Sequence, residues 1–229
     1  MTTLTAPARL EDDIDFAVTS AKLVPIVLLL DDSSSMGEVA ADVEGARVPK
    51  SEGLRRGLAA AVEYVRNDAM LRKAARLNLV SFSGAVASTG FHAIDALPLP
   101  SFGKGGGTAM RAALTQAASQ IEAFLYQQNA AGVSVSTTTL LMISDGMGND
   151  GPCDAAMRRL LELQEQKLVH LIGGGINADD ARRLTAMGFP EVYTLDRMTW
   201  KDLIQLATVS AKRLAQGQHG AADPMTGGA

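Results

Sequence analysis

Short apolar runs alternate along this chain with segments whose apolar residues return every third or fourth position. Residues 25–30 are almost continuously apolar and of strand length, as expected of a strand buried on both faces. A polar, glycine-containing loop follows over 37–50. Leu54, Leu58, Ala61, Val62 and Val65 then fall at helical spacing and predict an amphipathic helix. Residues 77–83 read as a second strand. Residues 86–94 read as a third, an antiparallel edge paired through Ser83, Gly84 and Ala85, and Pro98 and Pro100 end regular structure there.

Thr108 is placed to cap a helix whose Met110, Leu114, Ala117, Ile121 and Leu125 form one stripe. Residues 138–144 predict a central strand. A helix over 155–166 turns Met157, Leu160 and Leu161 inward, and 168–172 is another strand. Gly173, Gly174 and Gly175 read as a turn leading to a short helix over 179–187, and 192–195 as the last strand. Thr199, Trp200, Lys201 and Asp202 approximate a capping box before a final helix carrying Leu203, Leu206, Ala207 and Leu214, with Trp200 as a packing anchor. This order predicts an α/β fold: a three-layer, doubly wound, mostly parallel sheet with helices on both faces and one antiparallel edge strand. It divides into an N-terminal extension, 1–21, a domain over 22–216 and a flexible C-terminal tail, 217–229. No internal repeat is visible.

Composition sharpens this picture mainly by exclusion. With 47% hydrophobic and 20% charged residues among 229, the chain has enough apolar material for one substantial core. A formal net charge of −4, without a basic block, argues against nucleic acid as a partner. Cys153 is the single cysteine, so neither an intrachain disulfide nor a thiolate zinc cluster is available; it reads as a small residue near a helix start. His92, His170 and His219 are too scattered for a metal cluster. No apolar run approaches the ~20 residues needed to cross a bilayer. The start, acidic at Glu11, Asp12 and Asp13, lacks the layout of a secretory signal, so the expected location is the cytoplasm without membrane association.

The chemistry concentrates where the first strand ends. Asp31, Asp32, Ser33, Ser34, Ser35 and Met36 set out the pattern D-x-S-x-S, whose Asp31, Ser33 and Ser35 offer hard oxygens that a tight turn can aim at one point. Taken alone, such a cluster is a solvated turn or a helix cap. Two further pieces accompany it: Gly105, Gly106, Gly107 and Thr108, opening a helical segment, and Met142, Ile143, Ser144, Asp145 and Gly146, closing an apolar strand. In open α/β sheets, ligands gather beyond the carboxyl ends of strands where the strand order reverses, and both pieces fall there.

Together these motifs resemble the von Willebrand factor A (vWA) family over roughly residues 22–216. The resemblance implies a metal-ion-dependent adhesion site built from Asp31, Ser33, Ser35, Thr108 and Asp145, binding Mg²⁺, or Mn²⁺ or Ca²⁺ in its place. It implies that the serines ligate directly, that the acidic residues bind directly or through water, and that Thr108 joins or leaves with the conformational state. The remaining coordination position goes to an Asp or Glu carboxylate from a partner protein. The expected function is a metal-dependent adaptor with no catalytic residues. Among cytoplasmic members, the chain resembles bacterial proteins of tellurium-resistance and stress-response clusters; chaperone-like work beside an AAA+ ATPase is the competing role.

Two positions depart from the family pattern. Asp32 and Ser34 stand where Thr or Ser and then Gly are common. Asp32 is expected to hydrogen-bond from the strand end into the turn, and Ser34 requires a backbone outside the left-handed region. The 37–50 loop carries Glu38, Asp42, Glu44, Arg47 and Lys50 on the face that would hold the metal, a placement suited to partner selection. An alternative function is a Mg²⁺-dependent phosphohydrolase resembling the haloacid dehalogenase type, with Asp31 at a strand end and Asp145 to Asp150 downstream. That chemistry wants an acid two residues past the nucleophile, where this chain has Ser33, and it leaves Ser35 and Thr108 without a role.

Overall fold

The computed structural model describes residues 22–41, 44–45, 47–145 and 148–217. The extension over 1–21, the tail beyond Gly217, His219, Asp42 and Gly146 lie outside them. Six strands form one sheet: β1 (Val24–Asp31), β4 (Ala75–Phe82), β5 (Val86–Ser88), β6 (Thr138–Ile143), β7 (Val169–Gly175) and β8 (Glu191–Thr194). Their spatial order is β5-β4-β1-β6-β7-β8, parallel except for β5, which runs antiparallel to β4 at the edge. The mostly parallel, doubly wound sheet and its antiparallel edge are thus as the apolar pattern predicts.

Every residue of β1 is buried, because both faces of the central strand are covered. Val24, Ile26, Leu28 and Leu30 face a core closed by α1 (Lys50–Asn67), α2 (Ala69–Ala74) and α6 (Trp200–Ala215). Val27 and Leu29 face the other core, closed by α3 (Met110–Ala130) and α4 (Asp154–Glu165). A further helix, α5 (Ala178–Met187), packs against β7 and β8. The chain leaves β1 to build β4 on one side and later returns to build β6 on the other. The two strands beside β1 therefore diverge from a switch point at its carboxyl end.

Several elements differ from the pattern-based expectation. Gly173, Gly174 and Gly175 are not a turn but the end of β7, in register with Val192, Tyr193 and Thr194. A Cβ at Gly174 would meet Ile143 at 3.0 Å and Leu203 at 3.2 Å, and one at Gly175 would meet the Ala181 amide at 2.7 Å. Glycine is used here to admit neighbouring elements, so strand propensity gives no signal. The 37–50 loop contains an antiparallel hairpin, β2 (Val39–Ala41) with β3 (Arg47–Pro49). The edge strand predicted over 86–94 shortens to β5, with one further bridge between Leu77 and His92. Helix α2 was not foreseen. Asp68 caps it, accepting from the Met70 and Leu71 amides, and also receives the Lys212 ammonium at 2.6 Å.

Other expectations hold. Thr199 and Asp202 form a reciprocal capping box at the start of α6, and Trp200 is buried. Cys153 is the residue immediately before α4, and burial is the main influence raising its thiol pKa. Among the described residues no helix is long and apolar enough to cross a membrane.

The seam between α1 and α6 depends on two glycines. A Cβ at Gly53 would lie 2.2 Å from the Trp200 ring, and one at Gly57 would lie 2.6 Å from the Trp200 carbonyl oxygen. A ring can shift, whereas the carbonyl belongs to the first turn of α6. Gly57→Ala should therefore destabilise the fold by about 1–3 kcal/mol despite alanine's better helix propensity. Thermal denaturation checks it: a fall in Tm of about 3–10 °C is expected, and an unchanged Tm would show that the helices separate without cost.

Candidate functional site

Asp31 is the last residue of β1 and has no exposed surface. Its Oδ1 accepts the Ser33 backbone N–H at 2.9 Å, and its Oδ2 accepts the Ser144 hydroxyl at 2.7 Å. Burial raises its carboxyl pKa and is the largest influence. Hydrogen bonds from Ser33 and Ser144 pull it down, and the nearby charge of Asp145 adds a smaller upward push. After Asp31 the chain enters a single 3₁₀ turn, Ser34–Gly37, anchored in the core by fully buried Met36. This turn brings the Ser33 and Ser35 hydroxyls within 3.1 Å of each other.

Asp32 and Ser34 use their alternate direction to fasten a second segment. Asp32, 2% exposed, accepts the Gly103 N–H at 2.6 Å and the Lys104 N–H at 3.1 Å. Its bonds thus cross to a distant loop instead of closing its own turn. The Ser34 hydroxyl accepts the Gly106 N–H at 2.8 Å and donates to the Gly106 carbonyl at 3.1 Å. Ser34 itself is outside the left-handed region, whereas Gly103, Gly105 and Gly106 have positive φ. The glycines give the loop a shape that side chains would resist, and the Asp32 and Ser34 bonds hold it against the end of β1.

That loop delivers Thr108, which is 6% exposed. The helix it was expected to cap begins at Met110, with Ala109 in the cap position and no side-chain cap bond. The cap comes from Asp150, whose carboxylate accepts the Arg111 and Ala112 amides at 2.9 and 2.8 Å. Asn149 secures Thr108 from both sides: its Oδ1 accepts the Thr108 N–H at 2.9 Å, and its own N–H donates to the Thr108 carbonyl at 3.0 Å. Asn149 and Asp150 thus position Thr108 and α3. The sequence gives little notice of this, since an Asn-Asp pair in a loop normally marks only a turn.

Asp145 follows β6 by two residues, beside the end of β1, where Leu30 pairs with Ile143. It is 8% exposed, and Arg183 Nη1 donates to its backbone carbonyl at 3.1 Å. Arg183 also binds Asp180, a buried acid whose pKa is raised first by burial and then by Asp145. Asp145 Oδ1 is buried and has no hydrogen-bond partner, the only carboxylate oxygen so placed among the described residues. Its Oδ2 lies 4.0 Å from the ammonium of Lys50, which in turn is 3.0 Å from Glu38 Oε2. A cavity of about 240 Å³ adjoins the turn, lined by Asp32, Ser33, Ser34, Gly103 and Gly105 among others.

The predicted residues therefore fall in one neighbourhood. Asp31, Ser33 and Ser35 are linked directly, Ser144 joins Asp31 to the Asp145 strand, and the Gly106–Ser34 and Asn149–Thr108 bonds tie in the Thr108 loop. Sequence reasoning missed Ser144, Asn149 and Arg183. Among the described residues no group of three or more His, Cys, Asp or Glu side chains could hold a metal. Two carboxylates, alternating hydroxyls and an orphaned buried carboxylate oxygen are nonetheless a donor set that suits a hard cation.

No family model matches the chain, and no curated protein matches it. Solved structures do. The pilus adhesin SpaC from Lactobacillus rhamnosus GG matches with TM-score 0.58 and 15% identity, over 86% of this chain and 31% of the adhesin. Proximal thread matrix protein 1 from the mussel byssus matches with TM-score 0.54 and 18% identity, over 83% of this chain and 47% of that one. This chain thus spans about a third to a half of those proteins. The vWF domain of the type V pili tip protein Mfa5 from Porphyromonas gingivalis matches with TM-score 0.50 and 15% identity, over 86% and 97% of the two chains. The fold is vWA-like.

Burial that raises the Asp31 pKa has a testable sign. Between the ordinary carboxyl value and the raised folded one, the unfolded chain has released its proton while the folded protein retains it, so stability falls as pH rises through that window. The Asp31→Asn variant, lacking the charge but able to accept the Ser33 N–H and, with the direction reversed, to donate to the Ser144 hydroxyl oxygen, should lose this part of the pH dependence. In chelator at neutral pH it should melt a few degrees above the wild type. An Asp31→Asn protein that melts lower would mean that the charge itself stabilises the metal-free fold.

Proposed function

We propose that this protein is a protein-binding adaptor whose contact with its partner runs through a divalent cation, Mg²⁺ or Mn²⁺, held at the carboxyl end of β1. The observation that carries this reading is Asp145 Oδ1, a buried carboxylate oxygen without a partner just past β6, beside the carboxyl end of β1 where Asp31, Ser33 and Ser35 lie. A buried carboxylate oxygen left without a partner is costly, and a bound cation would remove that cost. Asp31 and Asp145 would neutralise the cation's charge, Ser33 and Ser35 would supply neutral ligands, and Thr108 would complete the set when the partner engages. The cation supplies a site for an Asp or Glu carboxylate from the partner.

The vWA-like fold supports a protein-interaction role, as does the description of one structural neighbour as a pilus adhesin and of another as a pilus tip protein. A cytoplasmic setting in a bacterial stress-response or tellurium-resistance system accompanies this reading through the family resemblance of the motifs. The adaptor reading uses Ser33, Ser35 and Thr108 together. It also accounts for Asp150, which would be a metal ligand in a phosphohydrolase but spends both oxygens on the start of α3.

Two outcomes are expected. In calorimetric titration the protein binds one Mn²⁺, and Asp31→Ala or Asp145→Ala weakens binding by at least about tenfold; equal affinities in all three would remove the site. In affinity capture from lysate, Mg²⁺ supports retention of the partner and chelator abolishes it. Thr108→Ala should weaken capture while sparing the melting temperature and most of the resting metal affinity. Retention indifferent to both cation and Thr108 would place the interface elsewhere.

A further inference from the structure

Lys50 is the first residue of α1 and closes the β2–β3 hairpin, yet it is 8% exposed, uncommon for lysine. Its backbone N–H donates to the Glu38 carbonyl at 2.9 Å, so Glu38 and Lys50 form the base of the hairpin. Its ammonium bonds Glu38 Oε2 at 3.0 Å and lies 4.0 Å from Asp145 Oδ2. The two acids differ in surroundings. The Glu38 side chain is 71% exposed and that of Asp145 is 12% exposed, so the ammonium stands between a solvated carboxylate and a buried one. An ordinary surface ion pair would need only Glu38.

We propose that Lys50 is a tethered cation that partly neutralises Asp145 while the site is empty and competes with the divalent ion for it, with Glu38, already bonded to the ammonium, holding it when the ion enters. This rests on the metal-site reading given above. The physical basis is the placement of three charges. A divalent ion at Asp145 repels an ammonium a few ångströms away in a poorly solvated pocket, and the stem of Lys50 is long enough to draw away from Asp145 while keeping its bond to Glu38, without moving α1. Glu38 is too exposed to act strongly on the ion itself, because solvent screens it. Its influence should therefore pass through Lys50. Since both residues belong to the hairpin base, metal occupancy becomes coupled to the hairpin that flanks the site.

The test is a double-mutant cycle read by Mn²⁺ calorimetry, with melting temperatures in chelator and in Mg²⁺. Lys50→Met should tighten Mn²⁺ binding about tenfold, the size of a typical coupling between sites. It should also lower the melting temperature in chelator and enlarge the rise that Mg²⁺ produces. Glu38→Gln should weaken Mn²⁺ binding about threefold in the wild-type background and leave it unchanged in Lys50→Met, because Glu38 then has no ammonium to hold away from Asp145. Lys50→Arg, which keeps the charge, controls for loss of packing and should bind no tighter than wild type. Equal Mn²⁺ affinity of wild type and Lys50→Met would overturn the competition while leaving the metal site standing. A Glu38 effect that persists without Lys50 would also overturn it. Absence of Mn²⁺ binding in both proteins would overturn the metal site and the competition together, whereas binding by Lys50→Met alone would be the competition at its strongest.

Discussion

The carboxylate of Asp31 enters the interior as the eighth residue of a strand with no exposed position, and the neighbouring structure is arranged to hold it there. An anion so buried persists only with dedicated donors. The Ser33 amide supplies one, which fixes the direction of the chain after β1 and so sets the 3₁₀ turn and the approach of the Ser33 and Ser35 hydroxyls. The Ser144 hydroxyl supplies the other, which fixes the exit of β6 and brings Asp145 alongside. One electrostatic requirement thus orders two strand ends at once.

The sheet provides the rigidity that this arrangement needs. β1 is bonded on both sides over most of its length, by β4 and β6, and packed on both faces, so its end is among the least mobile points in the fold. Loops that must meet it are fastened individually: the glycine loop by Asp32 and Ser34, and Thr108 by Asn149. Each fastening is a side-chain to backbone bond across a large sequence separation. Ordering such loops costs conformational entropy, and the bonds offset it where the site is assembled.

This division also separates what was legible in the sequence from what was not. Asp31, Ser33 and Ser35 could be read because they are contiguous with an apolar run, and Asp145 and Thr108 because each lies next to a recognisable strand or helix. The six strands and their mostly parallel, doubly wound sheet followed from alternating periodicities; their spatial order did not. The β2–β3 hairpin escaped notice because its strands are three residues each, too short to show an alternation, and α2 because six residues cannot show a helical stripe. Gly173 to Gly175 were misread since a strand that must admit other elements discards the β-branched side chains by which strands are recognised. Ser144, Asn149 and Arg183 reach Asp31, Thr108 and Asp145 across 113, 41 and 38 positions, and no local pattern encodes such contacts.

Charge balance gives the proposed site its character. With a divalent cation, Asp31 and Asp145 would bring the sum to zero, and the hydroxyls of Ser33, Ser35 and Thr108 would add none. A third acidic ligand of the chain's own would make the centre anionic and discourage a partner carboxylate. Other acids nearby are engaged elsewhere: Asp32 on the Gly103 and Lys104 amides, Asp150 on the start of α3, and Asp180 on Arg183. Hydroxyls in place of carboxylates would hold a cation less tightly at rest. They would leave no surplus negative charge to repel an incoming anion, as the proposed adaptor requires.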